Sequence, residues 1–359
     1  MTNQNKRLAS LDILRGFDLF MLVFLQPILW SAWGVYSSPW FDTIMRQFDH
    51  EPWEGFRCWD LVMPLFLFMV GAAMPFSFAK YRTASGSRKP VYKRIARRVI
   101  LLFLFGMIVQ GNLLALDADR LYIYNNTLQA IAAGYLIAAV ILLNCRVRWQ
   151  VIWTIVLMAV YSVPMALLGD WTVEGNFAYA VDRFVIGRFH GDPAYTWVWS
   201  SLTFGATVML GALAGELMKN ERRLPRPRIA AMLAVGGVAL IGLGLLLSLA
   251  EPIIKHIWTS SMTLYAAGWC TLLMALSYWI VDVKGHSRGL NWLKIYGMNP
   301  ITAYVLGEVI NFRSIVHSVS FGLQPLMGDW YSVWLTFGNF LILFFILRMM
   351  YKREIFLKI

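Results

Sequence analysis

The sequence predicts an all-α polytopic integral membrane protein, a helical bundle of about ten transmembrane helices. Of the 359 residues, 58% are hydrophobic and only 14% are charged. The apolar residues gather into runs of about 17 to 22, long enough to cross a bilayer as helices. The predicted spans are 17–35, 58–79, 99–116, 127–144, 149–168, 198–218, 229–250, 261–281, 295–311 and 329–350.

The positive charges give these spans an orientation. Of the 32 Lys and Arg residues, 25 fall in alternate connecting segments, which are 1–16, 80–98, 145–148, 219–228, 282–294 and the tail after 347. Because Lys and Arg collect on the cytoplasmic side, we expect both termini to be cytoplasmic. The net charge of +12 is then explained by attraction to anionic lipid of the bilayer, and no nucleic-acid partner is needed to explain it. We expect a bacterial cytoplasmic membrane, whose outer side faces the periplasm.

Residues 1–359 are predicted to form a single transmembrane domain, because no soluble segment of useful size and no internal repeat interrupts the spans. The first apolar segment contains Asp18 and shows no small-residue cleavage site, so we expect it to remain as a span. The cysteines have no metal-site spacing and fall at different predicted depths, so neither a disulfide nor a metal is predicted; they are Cys58, Cys145 and Cys270.

A histidine in the predicted outer loop 36–57 is the sharpest candidate for chemistry. His50 lies ten residues before Asp60, which opens the second span. A lone loop histidine is more often a surface residue, and an acid in a first helical turn commonly serves the helix dipole. An ionisable residue at the edge of a span is nevertheless costly to keep there. We therefore predict that Asp60 orients the imidazole and that His50 acts as a general base.

Four polar residues lie inside predicted spans, and each alone is explained most simply by a hydrogen bond to a neighbouring helix. Together they suggest a polar path through the interior, in which Gln26 or Asn299 could donate to a developing oxyanion. The four are Gln26, Gln129, Asn299 and Glu308. The Gly211 and Gly215 pair predicts close helix packing and no chemistry.

Basic residues at the predicted cytoplasmic face suggest a site for a polyanionic ligand. Asp12 and Arg15 form a helical i,i+3 pair, and an arginine fixed by an aspartate can hold a phosphate. Arg94 and Arg98 precede the third span. Most such charges only mark topology, yet as a cluster they could seat a phosphorylated coenzyme.

The outer loops carry the candidate substrate-binding residues. Asp182 and Arg183 lie among the tryptophans and tyrosines of the loop 169–197, and Glu51 and Trp53 follow His50. Aromatic belts at membrane interfaces explain most such aromatics. A sugar, which presents apolar ring faces and hydroxyls together, would use the same mixture.

With these motifs the chain resembles the transmembrane acyltransferases related to heparan-α-glucosaminide N-acetyltransferase, including bacterial members linked to N-acetylglucosamine use. The resemblance is collinear over nearly the whole chain. Its marks are Arg7-Leu8-Ala9-Ser10-Leu11-Asp12-x-x-Arg15-Gly16, His50-x-x-Trp53-x-Gly55, Asp60-Leu61-Val62-x-Pro64-x-Phe66-x-Phe68-x-x-Gly71, Arg94-Ile95-Ala96-x-Arg98, Leu128-Gln129, Asp182-Arg183, Gly211-x-x-Ala214-Gly215 and Tyr296-Gly297-Met298-Asn299.

The resemblance implies that His50 is catalytic and that acetyl-CoA supplies an acetyl group, across the membrane, to the amine of a terminal glucosamine. It implies that Gln26 stands where relatives usually have an asparagine that assists the histidine. It also implies a homodimer. The expected coenzyme-binding residues are Arg15, Asp12, Arg98, Arg94, Gln129 and Asn299.

Three alternatives stay open at this point. His50 could carry the acetyl group itself as an acetyl-imidazole. The acyl donor could differ, or the acceptor could be a peptidoglycan fragment. An amino-sugar transporter of the inner membrane is the rival class, because helices with buried amides also describe a translocation path.

Overall fold

The computed structural model describes residues 8–83, 88–111, 113–114, 116–117 and 120–357, without the side chains of Thr83 and Arg222. Within these residues the chain is mostly helical, and extended pairing is limited to an isolated bridge between Glu54 and Ile254. The all-α prediction is therefore confirmed.

The α-helices of the described residues range in length from 4 to 22 residues. They are α1 (Ala9–Phe20), α2 (Gln26–Trp33), α3 (Pro39–Met45), α4 (Val62–Thr83), α5 (Lys89–Val109), α6 (Thr127–Asn144), α7 (Val147–Leu168), α8 (Phe177–Val185), α9 (Ser201–Met218), α10 (Arg226–Leu247), α11 (Ser260–Tyr278), α12 (Leu293–Met298), α13 (Pro300–Val309), α14 (Arg313–Ser320), α15 (Gln324–Met327) and α16 (Tyr331–Lys352).

Eight helical stretches of the described residues are long and apolar enough to cross a membrane, as a polytopic membrane protein requires. They are Ala9–Trp33, Cys58–Arg82, Thr127–Asn144, Val147–Leu168, Ser201–Glu221, Arg226–Leu247, Ser260–Val283 and Arg313–Lys352. The first of these joins α1 to α2 through a π-helical turn, Met21–Leu25.

The two remaining predicted spans are also largely helical. The span 99–116 overlaps α5 as far as Val109, where the helix ends, and residues 112 and 115 lie outside the described residues. The span 295–311 is divided at Asn299 into α12 and α13. The break has a local cause, because Pro300 disfavours helical geometry at the residue before it. Residues 1–7 and 358–359 lie outside the description, so the cytoplasmic termini stay a prediction.

Two compact units make up the chain. The first comprises the described parts of 1–50, 57–62 and 280–358. In it α1 and α12 pack backbone against backbone. A Cβ atom at Gly16 would overlap the Leu293 carbonyl, and one at Gly297 would overlap the Asp12 carbonyl. Both glycines are therefore required for this contact.

The second unit comprises residues 51–56 and the described parts of 63–279. Its helix α9 lies directly on α4, because Cβ atoms at Gly211 and Gly215 would overlap the carbonyl groups of Phe68 and Ala72. The predicted packing role of this glycine pair is confirmed.

A loop between α10 and α11 holds the short segment 51–56 of the second unit. The Gly55 amide donates to the Ile253 carbonyl at 2.8 Å, next to the bridge between Glu54 and Ile254. The loop turns at Trp258, whose φ of 54° is unusual for a non-glycine residue and costs about 1–3 kcal/mol. Burial of the Trp258 indole, which donates to Thr207 Oγ1 at 3.0 Å, stabilises this turn.

Candidate functional site

His50 and Asp60 form a hydrogen-bonded pair in the first unit. The imidazole Nδ1 lies 2.8 Å from Asp60 Oδ1. The aspartate side chain is fully buried, whereas 38% of the histidine side chain is exposed. Because an ionised carboxylate only accepts hydrogen bonds, Nδ1 carries the hydrogen and Nε2 is the ring nitrogen that can take a proton.

Local sequence explains how Asp60 is held. It lies in the 3₁₀ turn Cys58–Leu61 that opens the second span, and its Oδ2 accepts from the Arg57 amide at 2.9 Å. The Arg57 guanidinium donates in turn to the His50 carbonyl at 3.1 Å. An acid at a helix start thus caps the turn and orients the imidazole at once. The two interpretations of Asp60 offered by the sequence are compatible.

Helix α2 supports the segment that precedes the histidine. Gln26 Nε2 and Trp30 Nε1, one helical turn apart, both donate to the Phe48 carbonyl, at 3.1 and 3.2 Å. The His50 amide donates to Asp49 Oδ1 at 2.8 Å. Gln26 therefore fixes the backbone two residues before the imidazole, and its catalytic role stays a prediction.

In the second unit, the predicted substrate-binding residues Glu51 and Trp53 adopt different settings. Trp53 Nε1 donates to the Trp171 carbonyl at 2.7 Å, and its ring stacks on His256 with centroids 5.7 Å apart. Glu51 folds back over Gly55, whose φ of +129° requires glycine. Trp53 is thus a half-buried residue in a short, firmly held segment.

Asp182 and Arg183, predicted to bind substrate, have different surroundings. The buried Asp182 carboxylate accepts from the Trp197 and Val198 amides, at 2.7 and 3.0 Å. It also lies 3.3 Å from His190 Nε2. Arg183 is exposed beside the Tyr179 ring. The contacts of Asp182 are those of a residue that braces the loop before α9, and its substrate role stays a prediction.

The loop between α10 and α11 supplies residues that the sequence analysis missed. His256 is 8% exposed and packs between Trp53 and Tyr195, whose ring centroid is 4.3 Å away. Glu251 is buried, accepts from the Ser260 amide, and has its pKa raised by that burial. Ionisable residues crowded into a short loop between two spans were the available signal.

Among the predicted coenzyme-binding residues of the first unit, Asp12 and Arg15 lie close together. Arg15 Nη1 is 3.6 Å from Asp12 Oδ1, and both side chains are largely buried. Asn299 forms two hydrogen bonds to the backbone near the C-terminus. Its Nδ2 donates to the Ile355 carbonyl at 2.9 Å, and its Oδ1 accepts from the Leu357 amide at 3.1 Å. This amide fastens the C-terminal segment.

The second unit holds the other three predicted coenzyme residues. Arg98 lies over the Tyr135 ring at 4.4 Å, and its buried Nε–H has no hydrogen-bond partner in the described part of the chain. Arg94 is exposed. Gln129 is buried, with its Oε1 accepting from the Asn125 amide at 2.8 Å and its Nε2 donating to the Ile123 carbonyl at 2.9 Å. Of the three, Arg98 has an unused donor.

Comparison with known proteins gives a consistent result. A family model described as heparan-alpha-glucosaminide N-acetyltransferase, catalytic, matches residues 7–248. Heparan-alpha-glucosaminide N-acetyltransferase of Mus musculus is 25% identical over 367 residues, covering 85% of this chain and 54% of the mouse protein. The Homo sapiens protein of the same name is 24% identical over 368 residues, covering 84% and 53%. The chain thus spans about half the length of these relatives.

Proposed function

Because the chain belongs to the heparan-α-glucosaminide N-acetyltransferase catalytic family, we propose that it is a membrane acyltransferase that acetylates the amine of glucosamine or of a glucosamine-terminated saccharide. Acetyl-CoA is the proposed donor, bound from the cytoplasmic side, and the acceptor binds on the periplasmic side of a bacterial cytoplasmic membrane. The single observation that carries this proposal is the His50–Asp60 pair, a partly exposed imidazole held by a buried carboxylate. A homodimer, implied by the resemblance, belongs to the same proposal.

The coenzyme would be held by the basic residues at the predicted cytoplasmic side. Arg98 supports this assignment, because its unsatisfied Nε–H is suited to a phosphate oxygen and its guanidinium is already fixed over a ring. In the Asp12–Arg15 pair, the aspartate holds the arginine in place, and an arginine held in this way can bind a phosphate. The amides of Gln129 and Asn299 bind backbone groups within their own units, and on this proposal each supports the chain without a direct contact with the coenzyme.

The proposed reaction begins with removal of a proton from the acceptor amine. His50 Nε2 takes that proton, while Asp60 stabilises the imidazolium through Nδ1. The amine nitrogen then forms a bond to the thioester carbonyl carbon, and the carbon–sulfur bond breaks. The imidazolium gives its proton to the departing thiolate, and the second proton lost by the nitrogen is released to water. The products are the N-acetylated sugar, the free thiol and one proton for each ammonium consumed.

A covalent route uses the same atoms in two steps. Nε2 would attack the thioester first, and the resulting acetyl-imidazole would then react with the amine. Incubation of the purified protein with radiolabelled acetyl-CoA and no acceptor distinguishes the routes. Label that stays on the wild type and is absent from His50→Ala supports the carrier, whereas an active preparation that retains no label supports direct transfer.

Proteoliposomes test the function as a whole. Acetyl-CoA is supplied on one side and glucosamine on the other, and N-acetylglucosamine is quantified by mass spectrometry. We expect acetylated product to form only when both substrates are present. Net uptake of unmodified glucosamine without acetyl-CoA would contradict the proposal and identify a transporter.

A further inference from the structure

A polar pocket in the first unit lies apart from the residues assigned above. It has a volume of about 420 Å³, is open on one side, and is lined by α2, α13, α16 and the segment that leads into α14. These parts meet at the ends of the helices that we predict to be on the outer side. Its charged and polar lining includes Glu308, Arg313, Asn311, Asn339 and Ser31. We call it the Glu308 pocket.

The two charged residues of this pocket differ in their engagement. The Arg313 guanidinium donates through Nη2 to the Ser332 carbonyl at 3.0 Å and to Thr336 Oγ1 at 2.8 Å, and so ties α14 to α16. Glu308 is exposed and, within the described residues, forms no ion pair or hydrogen bond. An accessible carboxylate in the wall of a pocket is suited to a cationic ligand.

The neutral groups of the pocket are oriented as donors. Asn339 Oδ1 accepts from the Phe312 amide at 2.6 Å, and Asn311 Oδ1 accepts from the Arg313 amide at 2.9 Å. The NH₂ end of each amide is therefore the end left for a ligand oxygen. Phe340 and Pro27 supply apolar wall beside them. One carboxylate, donors for oxygens and an apolar face match a hydroxylated ring that bears an ammonium group.

The pocket shares a helix with the histidine pair. Pro27 and Ser31 of α2 line the pocket, while Gln26 and Trp30 of the same helix hold the carbonyl of Phe48. The helix thus offers adjoining faces to the two sites. A ligand in the pocket would lie beside the element that positions His50.

We propose that the Glu308 pocket binds the acceptor amino sugar in its protonated form, with the ammonium group on Glu308. The proposal rests on the proposed function and adds a means of product discrimination. The ammonium leaves Glu308 and gives up a proton at His50 before it is acetylated. The acetylated product is a neutral, bulkier amide that cannot form the ion pair, so it does not rebind the pocket.

The test measures binding without turnover. The full chain carrying His50→Ala, purified in detergent without acetyl-CoA, is titrated with glucosamine and with N-acetylglucosamine by calorimetry or ligand-observed NMR. We expect glucosamine to bind at least about tenfold more tightly than the acetylated sugar. Adding Glu308→Gln should weaken glucosamine about tenfold and change N-acetylglucosamine by less than about twofold. Glu174→Gln, at an exposed carboxylate of the second unit, is the matched control and should change neither.

Three results would overturn the pocket assignment: equal binding of the two sugars, no effect of Glu308→Gln, or ethanolamine binding as tightly as glucosamine. In the active protein, Glu308→Gln should raise KM for glucosamine about tenfold and leave kcat within about twofold. The two proposals fail in different assays. An inactive wild type that still shows the expected binding would refute acetyl transfer, whereas an active wild type without the binding difference would refute the pocket alone.

Discussion

The part of the chain that the structure describes contains two histidine–aspartate pairs, one in each compact unit, and they differ in how accessible the imidazole is. In both, the carboxylate is fully buried and accepts at least one backbone N–H. The His50 side chain is 38% exposed, whereas that of His190 is 6% exposed. The same residue types thus present an accessible imidazole in one unit and a buried imidazole in the other. Accessibility of the imidazole, rather than the pair itself, is the feature that indicates chemistry.

Substitution of the two histidines tests most directly whether the two pairs differ in function. His50→Ala should lower kcat for glucosamine acetylation by about 10²–10⁴-fold, because it removes the proton acceptor. His190→Ala should leave kcat within about threefold, because its imidazole does not reach solvent. Both variants are assayed in detergent at saturating acetyl-CoA, with coenzyme binding measured separately. Equal losses in the two variants would show that the pairs do not differ in function.

The aspartates give the next largest effect. Asp60→Asn keeps the size of the side chain but removes the charge that fixes Nδ1–H, and we expect kcat to fall about 10²-fold with KM for acetyl-CoA unchanged. An unchanged KM for acetyl-CoA separates this effect from a packing defect, which would weaken coenzyme binding as well. Full activity of the variant would contradict the assignment.

Much of the fold and the contact of His50 with Asp60 followed from local sequence. Apolar runs predict spans because a bilayer requires them, and an acid that opens a helix just after a histidine-bearing loop is held near that loop. The contact was thus foreseeable from ten residues of spacing. The catalytic role remains a prediction, since proximity alone does not make a base.

Residues that bind distant backbone could not be interpreted in the same way. Asp182 accepts from amides 15 and 16 residues along the chain, and Asn299 binds a segment 56 residues away. A polar residue in an apolar sequence is expected to have a hydrogen-bond partner, but the sequence does not identify that partner. The Glu308 pocket depends likewise on α2 and α16 meeting α13, which no local pattern encodes.

For the pair of His190 and Asp182, the informative measurement is stability instead of turnover. Asp182→Asn should lower the free energy of unfolding by about 1–3 kcal/mol, because one amide oxygen replaces a charged acceptor of two backbone N–H groups. The unfolding midpoint in detergent is the measurement. Asp192→Asn, at an exposed carboxylate of the same loop, is the control. A wild-type midpoint in Asp182→Asn together with lost acetylation would assign Asp182 to substrate binding, as first predicted.

The smallest effect concerns Glu251, a buried acid of the second unit. Unlike Asp60 and Asp182, it pairs with no histidine among the described residues. Burial raises its pKa above the ordinary value of 4.5, although bonds from Ser162, Ser260 and Ser261 oppose the shift. The folded state therefore holds the proton more tightly than the unfolded state does, and this contribution to stability is lost as pH rises from 4.5 through the raised pKa. Glu251→Gln keeps the hydrogen-bond acceptor and cannot ionise. Its unfolding midpoint should accordingly fall less than that of the wild type between about pH 5 and about pH 8, and parallel pH profiles would show that the Glu251 carboxyl ionises equally easily in both states.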